Sequence, residues 1–374
     1  MKIGDSVLTN DEKAVFRLRD LYGKYGYSQY KMSKFEEYDL YVRNKNFLIS
    51  DHIITFNDQS GKLMALKPDV TLSIVKNTKD VSGYVNKVYY NENVYRVQKG
   101  SDSFKEIMQV GLECVGEIDR YCLSEVLTLA LESLREISDD FVLDVSHLGV
   151  LSAVLDAMNV SEEARGKLLH CVGEKNTHGI DAICVSEGIS VDAASELKAL
   201  VATYGEPASV IAKLKEIITA ENGKNALAEL EAVLLAVGDD AKKGSVRIDF
   251  SVINDMSYYN GIVFRGFING VPTGILSGGQ YDLLMKKMGK KAGAIGFAVY
   301  PDLLNDRETG GAYDVDTLIL YDDSADIGAL RASVRMLTES GKSVMAQKNI
   351  PEKLRYRQLL KFKERGVEIL ETNA

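Results

Sequence analysis

The segment Ile107-Met-Gln-Val-Gly-Leu-Glu-Cys-Val115 alternates in character with a period of two. Met108, Val110, Leu112 and Cys114 fall on one side and Gln109, Gly111 and Glu113 on the other, as a β-strand requires. Two accounts of the polar side stay open. It is either the solvated outer face of an antiparallel sheet, or a face that carries a ligand, because a mid-strand glycine weakens pairing yet lets another molecule approach closely. Upstream, Lys87–Val97 reads as a second long strand, and the polar loop Gln98–Ser103 joins the two into a hairpin. Downstream, Arg120–Ile137 places Leu123, Val126, Leu127, Ala130 and Leu134 on one helical face, and Phe141–Val145 is a short strand.

Further out, Thr9-Asn10-Asp11-Glu12 is a capping box. Behind it Val15, Leu18, Leu21, Tyr22 and Tyr25 recur at helical spacing, so 10–25 is an amphipathic helix. Ile53–Asn57, a turn at Asp58–Gly61, and Leu63–Leu66 read as strand, turn and strand, with a helix from Pro68 to about Lys76. From His147 to about Asp240 (about 147–242 as an insert) the chain is rich in Ala, Leu, Glu and Lys at helical spacing, which is an all-helical insert. Strand signals return at Ser245–Ile253, Tyr258–Ile268, Gly274–Ser277 and Ala294–Val299, with a helix at Tyr281–Met288. A polar, Gly-containing boundary lies at Asn305–Gly311. The tail reads β-α-β-α-β: Thr317–Tyr321, a helix over Ile327–Glu339, Ser343–Ala346, a helix over Glu352–Glu364, and Val367–Leu370, a small three-layer α/β unit. The expected organisation is one α+β domain over 1–305, its strands lying on both sides of the insert, and an α/β domain over 312–374.

Composition narrows the function. A hydrophobic fraction of 45% and a charged fraction of 26% are those of globular chains. With 45 Lys and Arg against 54 Asp and Glu, the net charge of −9 argues against a protein that coats nucleic acid. No apolar run approaches a membrane span, and the first residues have no hydrophobic signal region, so neither export nor a membrane role is expected. The four cysteines include no CxxC, which fits a reduced, cytoplasmic chain better than a disulfide frame. His170-Cys171, His178 and Cys184 match no zinc spacing, so no metal is expected. No Walker loop is present, although Gly289-Lys290-Lys291 is basic.

Four segments taken together, in order, carry a resemblance. They are Pro68-Asp69-Val70-Thr71; Val94-Tyr95-Arg96 with Gln109 and Glu113 after it; Ser257-Tyr258-Tyr259; and Gly278-Gly279-Gln280-Tyr281-Asp282. This combination resembles the catalytic core of class II histidyl-tRNA synthetases over roughly residues 1–305, and the tail is similar to a shortened anticodon-binding domain. The resemblance implies a class II synthetase-like antiparallel sheet with flanking helices. It also implies a site for free histidine. Asp69 and Thr71 would accept from the ammonium. Gln109 would accept from the ammonium and donate to the carboxylate. Glu113 and Tyr259 would grip the two imidazole nitrogens, Tyr281 would close the wall, Tyr258 would belong to the same site, and Arg96 would balance Glu113 or Asp69.

The departures carry as much weight. An arginine that precedes the tyrosine pair in the synthetases is Asn254 here, and the stretch Gly296-Phe-Ala-Val-Tyr-Pro-Asp302 lacks the arginine that holds ATP. The first-motif proline is Ser33. Losing one preorganised charge-stabilising donor costs about 3–4 kcal/mol. Losing two would therefore cost about 10⁴ to 10⁶ in rate if the effects added. An amino-acid pocket without adenylation chemistry resembles the regulatory subunits of ATP phosphoribosyltransferase. That resemblance implies a non-catalytic cytoplasmic protein without a cofactor, a homodimeric core within a hetero-oligomer with the short-form catalytic subunit, and feedback sensing of histidine. Binding of tRNA is not expected. The alternatives are an active histidyl-tRNA synthetase or another amino-acid-binding synthetase paralogue.

Overall fold

The computed structural model describes residues 8–45, 48, 52–79, 81–97, 103–238, 245–253, 258–304, 313–363 and 366–373. The chain divides into two compact units, Met1–Arg307 and Glu308–Ala374. The boundary expected at Asn305–Gly311 lies outside the described residues.

The first unit is built on an eight-stranded, mostly antiparallel sheet. Toward one edge is the long hairpin of β5 (Val85–Val97) and β6 (Phe104–Gly116), paired from Val85↔Gly116 to Val97↔Phe104; residues 98–102 of the expected loop are not among those described. The other edge of β6 pairs with β11 (Gly293–Val299), which pairs with β10 (Leu276–Gln280), then β9 (Ile262–Ile268), β7 (Phe141–His147) and β8 (Val246–Ile248). The two-residue β1 (Ser28–Gln29) closes the opposite end, parallel to β5. Val110, Leu112 and Cys114 of β6 are buried beneath α1 (Asn10–Lys24) and α4 (Arg120–Ile137), in one core with Leu18, Tyr22 and Leu127. Both helices are capped as their sequences require: Glu12 accepts from the Thr9 backbone N–H at 2.9 Å, and Asp119 from that of Cys122 at 2.9 Å.

A three-stranded sheet of β2 (Phe35–Glu37), β4 (Leu63–Leu66) and β3 (Thr55–Asn57), with the short α2 (Tyr38–Arg43) directly after β2, leads into α3 (Thr71–Asn77). The α3 helix starts three residues later than its sequence suggested, because Pro68-Asp69-Val70 is used as a lead-in: the Asp69 carboxylate accepts from Leu72 N–H at 2.8 Å. Among the described residues of the insert the regular elements are helices. They run from α5 (Leu148–Ala157) to α10 (Glu221–Val237), and α10 packs on α4 and α5. The strands expected at Ser245–Ile253 and Tyr258–Ile268 are shorter: β9 pairs along the whole of β7, from Phe141↔Ile268 to His147↔Ile262, whereas β8 pairs only with Leu143–Val145.

In the second unit, β12 (Val315–Leu320) pairs in parallel with β13 (Val344–Gln347), and the helix Ile327–Glu339 links them. One expectation is overturned. Glu352–Glu364 is not a helix: Tyr356–Lys363 forms β14, parallel to β12 and antiparallel to β15 (Gly366–Thr372). Lys and Leu suit helices, but the strand buries Leu360 and Phe362 with Ile319 and Leu330, and pairing on both edges outweighs weak propensity. The expected three layers are therefore two among the described residues.

Candidate functional site

The odd-numbered face of β6 is not an outer face. Gln109 is 3% exposed and Glu113 2% exposed, and an ionisable group sealed in this way needs partners. The registers set Glu113 beside bare backbone. Glu113 pairs with Gly296, Gly296 with Gly279, and Gly111 with Ala298. A Cβ on Gly296 would stand 1.8 Å from Glu113 Oε2, and one on Gly279 2.8 Å from the Tyr259 ring. On Gly111 it would meet the Tyr90 hydroxyl at 2.5 Å and the Phe297 carbonyl at 2.3 Å. Three glycines on adjacent strands thus form a shallow hollow in which side chains from other elements meet.

Glu113 is the hub. Its Oε1 accepts from the Thr71 hydroxyl at 2.7 Å and its Oε2 from the Tyr281 hydroxyl at 2.5 Å. Thr71 is also hydrogen-bonded to Tyr258. Burial pushes the Glu113 carboxyl up to about 8 despite the Tyr281 and Thr71 hydroxyls, and the nearby Asp69 adds to the effect. Burial thus favours the protonated carboxyl, which has an O–H to donate besides the contacts its oxygens accept. Tyr258 lies between the other two rings, its centroid 4.5 Å from that of Tyr259 and 5.7 Å from that of Tyr281.

Asp69 and Arg96 form the adjoining wall. Burial raises the Asp69 carboxyl above its ordinary range, while the Arg96 guanidinium and backbone N–H groups of α3 pull it back. Arg96 is buried and its Nε donates to the Pro68 carbonyl at 2.6 Å. The Arg96 charge thus acts on Asp69. All eight candidate residues lie in the first unit: Arg96 on β5, Gln109 and Glu113 on β6, Asp69 and Thr71 at the entry to α3, Tyr258 and Tyr259 ahead of β9, and Tyr281 directly after β10.

Sequence reasoning missed several neighbours. Lys67, 1% exposed, forms an ion pair with Glu92, and Glu92 stands opposite Gln109 in the hairpin. Tyr90 shares that face. The period-two reading applied to Lys87–Val97 would have grouped Tyr90, Glu92 and Arg96. Gly296 drew notice only as the first residue of the stretch without the synthetase arginine. Its role depends on which strand lies beside β6, which no local pattern reveals. Asn254 lies outside the described residues. In that same stretch, the Asp302 carboxylate accepts from the Met108 backbone N–H at 2.7 Å.

The family model for histidyl-tRNA synthetase matches residues 6–304. A relative from Caldanaerobacter subterraneus subsp. tengcongensis, an ATP phosphoribosyltransferase regulatory subunit, is 30% identical over 291 residues, 76% of this chain and 74% of that protein. The chain belongs to the histidyl-tRNA synthetase family, among the ATP phosphoribosyltransferase regulatory subunits. Another such subunit, from Oceanobacillus iheyensis, is 26% identical over 88% of this chain and 83% of its own length. A histidine–tRNA ligase from Methanococcus vannielii is 28% identical over 86% of this chain and 76% of its own length. A crystal structure from Bacillus halodurans, described as an ATP phosphoribosyltransferase regulatory subunit/histidyl-tRNA synthetase, superposes with a TM-score of 0.74 at 25% identity, covering 94% of this chain and 93% of that one. A chain of the ATP phosphoribosyl transferase complex from Thermotoga maritima shares the fold, with a TM-score of 0.62 at 18% identity over 80% of this chain and 98% of that one. The synthetase-like α+β architecture expected from the motifs is thus the architecture of this regulatory-subunit family. Among the described residues no helix is long and apolar enough to cross a membrane, and no group of three or more His, Cys, Asp or Glu could hold a metal ion.

Proposed function

We propose that this chain is a non-catalytic regulatory subunit that activates a short-form ATP phosphoribosyltransferase catalytic chain and binds free histidine as a feedback signal. The observation that carries the reading is a contrast within one site. The amino-acid side is assembled around Glu113, whereas the stretch from Gly296 to Asp302 offers a carboxylate, bound to Met108, and no cation for a nucleotide phosphate. Names of relatives support the partner: two are regulatory subunits of the transferase, and the Thermotoga chain is part of such a complex.

In this reading the histidine ammonium would face Asp69 and Thr71, and the imidazole would share the Glu113 proton on one side and meet Tyr259 on the other. Tyr281 would hold Glu113 in place, Tyr258 would brace both rings, and Gln109 would reach the ligand backbone. A two-sided grip on the ring is what separates histidine from other amino acids. Histidine would inhibit by preferring the less active arrangement of the complex, since a ligand shifts an equilibrium only by its differential affinity. A homodimeric core in the cytoplasm, without cofactor or tRNA, belongs to the same reading.

The test is formation of phosphoribosyl-ATP by the short-form catalytic chain, with and without this protein. Activation that histidine reverses is the expected result, with Gln109→Ala retaining activation but losing sensitivity. If the two chains do not co-elute at micromolar concentration and the catalytic chain is equally active alone, the proposal fails. The Methanococcus ligase supports a second reading, an active synthetase. Histidine-dependent ATP–pyrophosphate exchange above a no-enzyme control would establish it and remove the first.

A further inference from the structure

The pocket floor continues beyond the glycines, and the strand ladder fixes what stands there. Pairing of β6 with β11 runs from Gly293↔Gly116 to Val299↔Val110. The next residue, Tyr300, stays in step on the other side: its N–H donates to the Ile275 carbonyl at 2.8 Å, one place past the Leu276↔Val299 pair. Tyr300 therefore comes level with Gln109. Being four residues on from Gly296, it falls on the face that holds Glu113. Its ring is half-buried, and its hydroxyl is close enough to Tyr90 and Tyr259 to couple with them electrostatically. Among the described residues no hydrogen bond engages the side chain of Tyr300 or of Gln109.

Charge divides the pocket along the strand. Asp69 and Glu113 give one end an acidic character. At the other end are the Gln109 amide and the Tyr300 phenol, and Glu92, the carboxylate nearest in register, is committed to Lys67. We propose that the Tyr300 hydroxyl, together with the Gln109 amide, forms the subsite for the ligand's carboxylate. This deepens the histidine-pocket reading and rests on it. A carboxylate only accepts hydrogen bonds, and an O–H donor to an ionised acceptor makes a short, strong bond. Two neutral donors hold such an anion without adding a buried cation. Tyr300 is then a specificity-determining residue. It separates an amino acid with a free carboxylate from an analogue in which that group is reduced.

Calorimetry on the full chain with L-histidine and with histidinol, whose hydroxymethyl replaces the carboxylate, tests this. Tyr300→Phe is expected to weaken histidine at least about tenfold, the loss of one hydrogen bond to a charged group, while histidinol changes by less than about twofold. The parent's preference for histidine over histidinol should shrink accordingly. Unchanged histidine affinity, or equal loss for both ligands, overturns the subsite and leaves the histidine pocket standing. No histidine binding by the parent overturns both. Tyr300→Gln, which keeps an N–H donor, provides a second variant should Tyr300→Phe not fold. It is expected to retain part of the preference, and its complete loss would refute the role of a donor at this position.

Discussion

A carboxyl held at about 8 while its ordinary value is 4.5 makes Glu113 a stability-linked group as well as a candidate ligand contact. Between those two pH values the folded chain keeps a proton that the unfolded chain has released, so this residue's contribution to stability declines as pH rises through the window. The cause is burial, and the Thr71 and Tyr281 hydroxyls only partly oppose it. Glu113→Gln keeps the shape and one of the two acceptor oxygens but cannot ionise. Its melting temperature is expected to match the parent's near pH 4.5 and to exceed it by at least about 2 °C at pH 8, the shift that about 1 kcal/mol produces in a large domain. Thermal melts across that range check it; a difference independent of pH would show that Glu113 does not titrate inside the window. The proton at Glu113 was not legible in the sequence. Alternation placed the residue on a face with Gln109, but the sealing of that face comes from α3 and from Tyr258, Tyr259 and Tyr281, which are distant in the chain.

Among the elements, the local patterns were most reliable where one strong signal acted alone. Arg120–Ile137 is a helix at its expected bounds because a capping Asp119 and an apolar stripe agree. The β5–β6 hairpin is likewise where alternation put it. Tyr356–Lys363 went the other way: its Lys and Leu content suits a helix, and only the pairing with β12 and β15, contributed from elsewhere, makes it a strand. The site obeys the same rule. Its side chains were identifiable from motifs, whereas the glycine floor depends on β6, β11 and β10 lying side by side. That dependence is testable at Gly296. An added methyl would meet Glu113 Oε2 at 1.8 Å and the Leu112 carbonyl at 2.5 Å, and neither can move without breaking a hydrogen bond or the ladder. Gly296→Ala is expected to cost about 1–3 kcal/mol in urea unfolding, as overpacking does, and to abolish histidine binding in calorimetry. Parent-like binding would mean that Glu113 is not held where the ligand meets it.

On the scale of the whole chain, the candidate site draws on residues from Lys67 to Tyr300, all within Met1–Arg307. Deleting Glu308–Ala374 is therefore expected to leave the histidine dissociation constant within about twofold of the parent, since no contact to the ligand would be removed. Calorimetry on the shortened chain decides this, and a tenfold loss would place part of the binding energy in the second unit. The hollow over Gly111, Gly279 and Gly296 has a further consequence for how such a protein can diversify. A floor made of main chain has no atoms left to remove. Substitution there can only fill the basin, never deepen it, so any new ligand preference has to be written in the side chains that rim it, such as Tyr281, Tyr259 and Tyr300.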